Sequence, residues 1–178
     1  MGNKKYKEKE IKQIIDNIVI VIDTDEKNMP NHIARTLDKY NIKWERSSLD
    51  SGDYSAYVLP IDELNFEGID FRNELVIERK NSNSEIITNL TKYKTRFHKE
   101  FDRTDAKIII MIEDTYKSAA HGDFKNNVTP KQYLGLLHTL SFDKDSPVVF
   151  IDKEVAALYI YNTFKYYLRH KLKALKLE

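Results

Sequence analysis

Apolar and polar positions alternate between two regimes along this chain. Asn17 to Asp23 carries the unbroken β-branched run Ile18-Val19-Ile20-Val21-Ile22 and predicts a strand buried on both faces, ending in an acid. Leu75 to Lys80 and Lys107 to Glu113 repeat that character, and Val148 to Asp152 is a shorter version. Lys43 to Leu49 and Asp53 to Leu59 read as two further strands joined around Ser51-Gly52. Between them the spacing becomes helical. His32 to Tyr40 predicts a helix with Pro30 near its start. Ser84 to Asp102 predicts one continuous helix, with Ile86, Leu90, Tyr93, Phe97 and Phe101 on one face and Ser82-x-x-Glu85 as a capping box. Pro130 to Leu140 and Lys153 to Leu177 complete the helices, and the polar stretch from Tyr116 to Thr129 reads as a loop. Strands alternating with helices imply an α/β sandwich, a central mixed sheet with helices on both faces.

Composition narrows this picture. The 178 residues fit one domain, 41% hydrophobic and 32% charged, with only 5 Gly and 4 Pro. Cysteine is absent, which excludes a disulfide scaffold, a thiolate zinc site and a Cys nucleophile. The formal net charge of +1 means that any nucleic-acid contact must come from local basic patches. No apolar run approaches the ~18 residues of a membrane span, so no membrane association is expected. Residues 1–16 read as a basic, solvated N-terminal extension, and 17–178 as a single domain ending in a helical region.

Candidate chemistry sits at the strand ends. Asp23, Asp53 and Glu78 each border an apolar strand. Glu78 and Lys80 are two apart on a strand, so both side chains point to one face. A carboxylate there supplies a hard oxygen ligand for Mg²⁺ or Mn²⁺. The neighbouring ammonium positions or helps deprotonate a water, or stabilises charge on a phosphate. Mg²⁺ needs only one or two protein carboxylates when water and substrate phosphate complete its shell. The same spacing also describes an ordinary ion pair at a strand end.

Several ordered blocks then agree with one family. Gly52-Asp53-Tyr54 followed by Glu78-Arg79-Lys80 resembles the G-D-x(n)-E-R-K signature of the XPF-type structure-specific endonucleases, within the PD-(D/E)xK nuclease superfamily. Val21 to Glu26 is similar to their V-D-x-R-E segment, Ser48 to Tyr54 to their L-x-x-G-D-Y/F segment, and Ile108 to Glu113 to their L-L-I-E strand. The resemblance implies a restriction-endonuclease-like three-layer sandwich and a metal-dependent DNA endonuclease. It implies that Asp53, Glu78 and the main-chain carbonyl of Arg79 hold Mg²⁺ or Mn²⁺, that Lys80 acts on the water or the scissile phosphate, and that Asp23 is a further acid of the metal site. Glu26 corresponds to the outer acid of the V-D-x-R-E segment. Arg79 lies on the opposite strand face, where it either holds the turn or approaches DNA. Two positions depart from the pattern: Asp25 stands where the family has arginine, and Ser84 where it has aspartate. Glu85 beside Ser84 either replaces that acid in the outer shell or caps the helix.

Lys92, Arg96, Lys99 and Arg103 follow the motif and form a candidate DNA-binding row, whereas His98 and His121 lack partners at ligand spacing and read as surface residues. Leu158, Tyr161, Phe164, Leu168, Leu172 and Leu175 stripe the last helix, and the resemblance implies a homodimer through it. The chain ends without the tandem helix-hairpin-helix domain that often follows this nuclease domain, so a stand-alone or partner-dependent enzyme is expected. Small size with many Lys and Asn points to a bacterial or phage protein in the cytoplasm, or a nuclear one if eukaryotic. The expected substrate is branched or flapped DNA. The alternatives are an inactive nuclease-fold DNA-binding or scaffold subunit and a Holliday-junction resolvase-like enzyme.

Overall fold

The computed structural model describes residues 5–24 and 31–174. In chain order the elements are α1 (Glu8–Ile15), β1 (Val19–Ile22), α2 (Asn31–Lys39), β2 (Lys43–Arg46), β3 (Tyr54–Val58), a 3-10 turn (Asp62–Leu64), β4 (Ile69–Asp70), β5 (Leu75–Lys80), α3 (Asn83–Thr91), α4 (Lys94–Phe101), β6 (Lys107–Ile112), α5 (Tyr116–His121), α6 (Pro130–Asp143), β7 (Val148–Phe150) and α7 (Ala156–Ala174). The strands form one mixed sheet in the order β2-β1-β3-β5-β6-β7, with β4 on β3. β1 runs parallel to β2 and antiparallel to β3, β3 is antiparallel to β5, and β5, β6 and β7 are parallel. β2 and β3, adjacent in sequence, are therefore not a hairpin, because β1 lies between them.

Alternation sorts the strand side chains onto two cores. Ile20, Ile22, Tyr54, Ala56, Leu75, Ile77 and Met111 pack against α1, α2 and α7. Ile110 and Ile112 pack against α3 to α6, with Val76 and Ile108 in a smaller cluster on Ala106. This is the expected three-layer α/β sandwich. No helix among the described residues is long and apolar enough to cross a membrane.

Three local expectations are corrected, and some positions lie outside the described residues. Residues 5–16 are not a solvated tail: α1 buries Ile11, Ile14 and Ile15, Tyr6 is buried before it, and Glu8 pairs with Arg169 at 2.7 Å and Lys173 at 3.1 Å on α7. The predicted helix over 84–102 is two helices. The Thr88 carbonyl accepts both the Lys92 and Tyr93 N–H groups, and Tyr93 leaves helical geometry and is 48% exposed. The turn lets Phe97 re-enter the core, where it meets Phe101 edge-on at 5.2 Å. The expected loop from Tyr116 begins as α5, capped by the Thr115 hydroxyl and closed at Gly122 with φ of 82°. Finally, α7 is described only to Ala174, so Leu175 lies outside the described residues, as do Asp25, Glu26 and Pro30.

Candidate active site

Strand parity assembles the site. Counting outward from the apolar positions, Asp23 shares a face with Val21, Asp53 with Ser55, and Glu78 and Lys80 with Val76. This is the face opposite α1, α2 and α7. Strand order then makes the acids neighbours. The Asp23 N–H donates to the Asp53 carbonyl at 2.9 Å, and the Asp53 N–H donates to the Ile77 carbonyl at 2.9 Å. Three carboxylates from β1, β3 and β5 thus line one cleft of about 290 Å³. The Leu49–Gly52 loop forms one wall, and Arg96, Glu100 and Arg103 of the α4 region form the other.

Gly52 is required by this geometry. Its φ is 71°, and a Cβ there would lie 2.8 Å from the Val76 Cβ and 3.3 Å from the Ile77 carbonyl oxygen. Only glycine lets the loop press onto β5 and deliver Asp53.

Each acid is held. Asp23 Oδ1 accepts the Leu49 N–H at 2.9 Å, and Asp53 Oδ2 accepts the Arg79 N–H at 2.6 Å. Glu78 Oε1 accepts from the Lys80 ammonium at 2.6 Å. This is not the exposed ion pair that spacing alone allows, since Lys80 is 6% exposed and its ammonium lies 5.0 Å from the Phe97 ring centre. Burial alone would lower the Lys80 pKa. The charge and hydrogen bond of Glu78, with the charges of Asp53 and Glu85, outweigh it and hold Lys80 above the ordinary lysine value. Lys80 is therefore a firm cation at neutral pH. Glu100 moves oppositely to an ordinary surface carboxylate: burial first, and then repulsion from Glu78, raise its pKa.

The remaining sequence candidates separate. Arg79 points to the reverse face, where its guanidinium donates to Glu113 Oε2 at 2.7 Å. Glu85 Oε2 accepts the Asn81 N–H at 2.9 Å while the Ser82 hydroxyl accepts the Glu85 N–H at 3.3 Å, so Glu85 sits at the start of α3 and outside the cleft lining. Lys92 occupies the α3–α4 break beside the Tyr93 ring, and Lys99 is exposed, so of the basic row only Arg96 and Arg103 line the cleft. Glu26 lies outside the described residues.

Sequence reasoning missed three polar residues. Glu100 stood four after Arg96 and three before Arg103, on the same helical stripe, and that spacing was its available signal. Glu113 ends β6 as Asp23 ends β1 but was given no role. His32 gave no signal, because its partner Glu113 is 81 residues away.

The cleft offers carboxylate oxygens and neither sulfur nor imidazole, a donor set that suits Mg²⁺ or Mn²⁺. Among the described residues, no three His, Cys, Asp or Glu side chains lie close enough to form a closed cage. A cation held here has a partial protein shell, with positions left for water and a phosphate.

The chain matches known proteins at two levels. No curated protein sequence matches it. Among solved structures it is similar to XPF from Aeropyrum pernix, with a TM-score of 0.56 and 14% identity over 84% of this chain and 61% of that one. It is also similar to XPF from Aeropyrum pernix in complex with DNA, with a TM-score of 0.59 and 14% identity over 85% of this chain and 66% of that one. The chain thus spans less than two thirds of either XPF chain, and at this identity the likeness speaks to fold. The family model of the ERCC4 domain matches residues 22–163, from the last residue of β1 into α7, and so takes in Asp23, Asp53 and Glu78 of the cleft lining and Lys80, which lies buried behind Glu78. By that match over most of its length, the chain belongs to the ERCC4 domain family.

Proposed function

We propose that this chain is a divalent-metal-dependent endonuclease that hydrolyses phosphodiester bonds in DNA, with branched or flapped DNA as its substrate. The observation that carries the reading is the convergence of Asp23, Asp53, Glu78 and Lys80 from three adjacent strands on one face of the sheet, under the cations Arg96 and Arg103. Membership of the ERCC4 domain family and the likeness to a fold solved with DNA bound support it.

In this reading Asp53 and Glu78, with the Arg79 main-chain carbonyl, would hold Mg²⁺ or Mn²⁺, and Asp23 would act as a further acid through a water or a second metal. The bound cation supplies Lewis acidity and a more acidic water. Lys80 contributes a fixed positive charge beside the phosphate. Held beside Glu78 by its 2.6 Å hydrogen bond, it positions or helps deprotonate the attacking water, or stabilises charge on the phosphate. Arg96 and Arg103 hold flanking phosphates. A homodimer is the proposed assembly on the family resemblance alone, because the apolar stripe of α7, with Phe164, Leu168 and Leu172, is buried in the chain's own core.

The second reading is a nuclease-fold DNA-binding or scaffold subunit without activity. A panel of flap, fork, four-way junction and single-stranded DNA, assayed with Mg²⁺ and Mn²⁺, separates the two. Cleavage by the wild type that falls at least ~100-fold in Asp53→Ala and Lys80→Ala, with circular dichroism unchanged, is the expected result. Full activity in both variants sinks the assignment, and an inert wild type favours the second reading. A symmetric dimer making paired cuts in the four-way junction marks the resolvase-like form.

A further inference from the structure

The reverse face of the motif strand carries a buried charged cluster that the cleft chemistry does not use. Glu113, the residue after β6, has a side chain 1% exposed, and both of its oxygens are engaged. Oε2 accepts from the Arg79 guanidinium at 2.7 Å, and Oε1 lies 2.8 Å from Nε2 of His32 on α2. The Glu113 N–H also donates to the Lys80 carbonyl at 2.8 Å. One residue therefore grips two consecutive members of the motif strand, Arg79 by its side chain and Lys80 by its main chain. The Arg79 N–H in turn donates to Asp53 Oδ2 at 2.6 Å. β5 ends at Lys80, where a strand would ordinarily begin to fray, and Asp53 and Glu78 depend on its last peptides for their aim.

We propose that Glu113, backed by His32, is a positioning residue for the cleft on the other side of the sheet: by anchoring Arg79 it fixes the Arg79 peptide, and through that peptide the direction of the Asp53 carboxylate. The proposal rests on the nuclease reading of the cleft, and it also excludes Arg79 from contact with DNA. Its side chain is 10% exposed and committed to the face away from Arg96 and Arg103. Groups that orient metal-binding side chains without touching the metal are worth ~10- to 100-fold in metal affinity or rate.

Two variants test this. Glu113→Gln keeps the shape and removes the charge. The double variant Arg79→Met/Glu113→Met replaces the pair with apolar side chains of similar reach, and such replacements of buried ion pairs commonly preserve stability. Each is compared with wild type for Mn²⁺ affinity by calorimetry, single-turnover cleavage at saturating Mn²⁺, DNA affinity with its salt dependence, and thermal unfolding.

The expected result is a double variant that melts no lower than wild type, yet loses ~10- to 100-fold in Mn²⁺ affinity or maximal rate, with DNA affinity and salt slope unchanged and Glu113→Gln intermediate. A folded double variant with wild-type Mn²⁺ affinity and rate overturns the proposal. So does a loss confined to DNA affinity with a shallower salt slope, which would put Arg79 on a phosphate. A double variant that does not fold overturns it as well, by making the cluster a requirement of folding. Wild type that binds Mn²⁺ without cutting, with affinity weakened in the variants, upholds the positioning role and sinks the nuclease reading. Wild type that cuts, with variants unaffected, does the reverse. Wild type that neither binds Mn²⁺ nor cuts overturns both.

Discussion

Gly52→Ala isolates the backbone device that delivers Asp53. Two costs follow from the structure. A side chain at φ 71° is strained, and the new Cβ meets the Val76 Cβ at 2.8 Å and Cγ2 at 2.9 Å. Left-handed geometry costs ~1–2 kcal/mol, overpacking adds ~1–3 kcal/mol, and the stiffer unfolded chain returns ~0.4–1 kcal/mol, for a net loss of about 1–4.6 kcal/mol. Which cost dominates is separable. Asparagine tolerates left-handed geometry but carries the same Cβ. Val76 is fully buried on β5 and cannot retreat, so the clash should outweigh the strain. Gly52→Asn is therefore expected within ~1 kcal/mol of Gly52→Ala, and not near wild type. Urea unfolding followed by circular dichroism measures both, at unchanged m-value. Gly52→Ala within ~0.5 kcal/mol of wild type would refute the reasoning, because that is the range of an inconsequential surface change. Near-complete rescue by Asn would refute the dominance of the clash.

Two other expectations concern charge. Burial by itself would raise the Glu113 pKa, but the hydrogen bonds and charges of Arg79 and His32 outweigh it and hold the carboxyl below the usual range. A lowered folded-state pKa contributes stability that is present above the unfolded value of about 4.3 and is lost as pH falls through the folded one. Unfolding titrations of wild type and Glu113→Gln should therefore converge toward acid pH, and a constant gap down to strongly acid pH would contradict the pairing. At the cleft rim, Arg96→Ala and Arg103→Ala should each weaken DNA binding alike across sequences and reduce the slope of log affinity against log salt by ~0.9. Sequence-dependent losses with an unaltered slope would remove them from the phosphate path.

How far the sequence carried differs by element, for physical reasons. The central strands were legible because β1, β5 and β6 are buried on both faces and read as unbroken apolar runs. α1 was hidden because Lys5, Lys7, Lys9 and Lys12 flank an apolar stripe of only Ile11, Ile14 and Ile15. The break at Lys92 and Tyr93 was hidden because the stripe on either side keeps helical spacing, and spacing is blind to a change of axis. α5 presents little beyond Ala119 to the core, too small a signal to separate from loop. In the cleft, parity along one strand put Glu78 and Lys80 on the same face from sequence alone. Bringing Asp23 and Asp53 beside them requires the order β1-β3-β5, which no local pattern encodes. Glu113 and His32 belong to the same class, since their meaning is a contact between distant segments.

That contact bears on why charge is buried there at all. On the reverse face of β5, the positions before Arg79 are Leu75 and Ile77, both in the apolar core. A Met or Leu at position 79 would continue that core. Burying an arginine and a glutamate instead incurs desolvation that their attraction repays only with full hydrogen bonding, and apolar replacements of such pairs are often as stable or more so. Stability is then a poor account of the His32–Glu113–Arg79 cluster. A positional account does better. A guanidinium fixed by a carboxylate has a direction as well as a place, which a packed methyl group lacks. Strand alternation carries that constraint through the peptide to the opposite face, where Asp53 takes its hydrogen bond from Arg79 and Glu78 and Lys80 flank it.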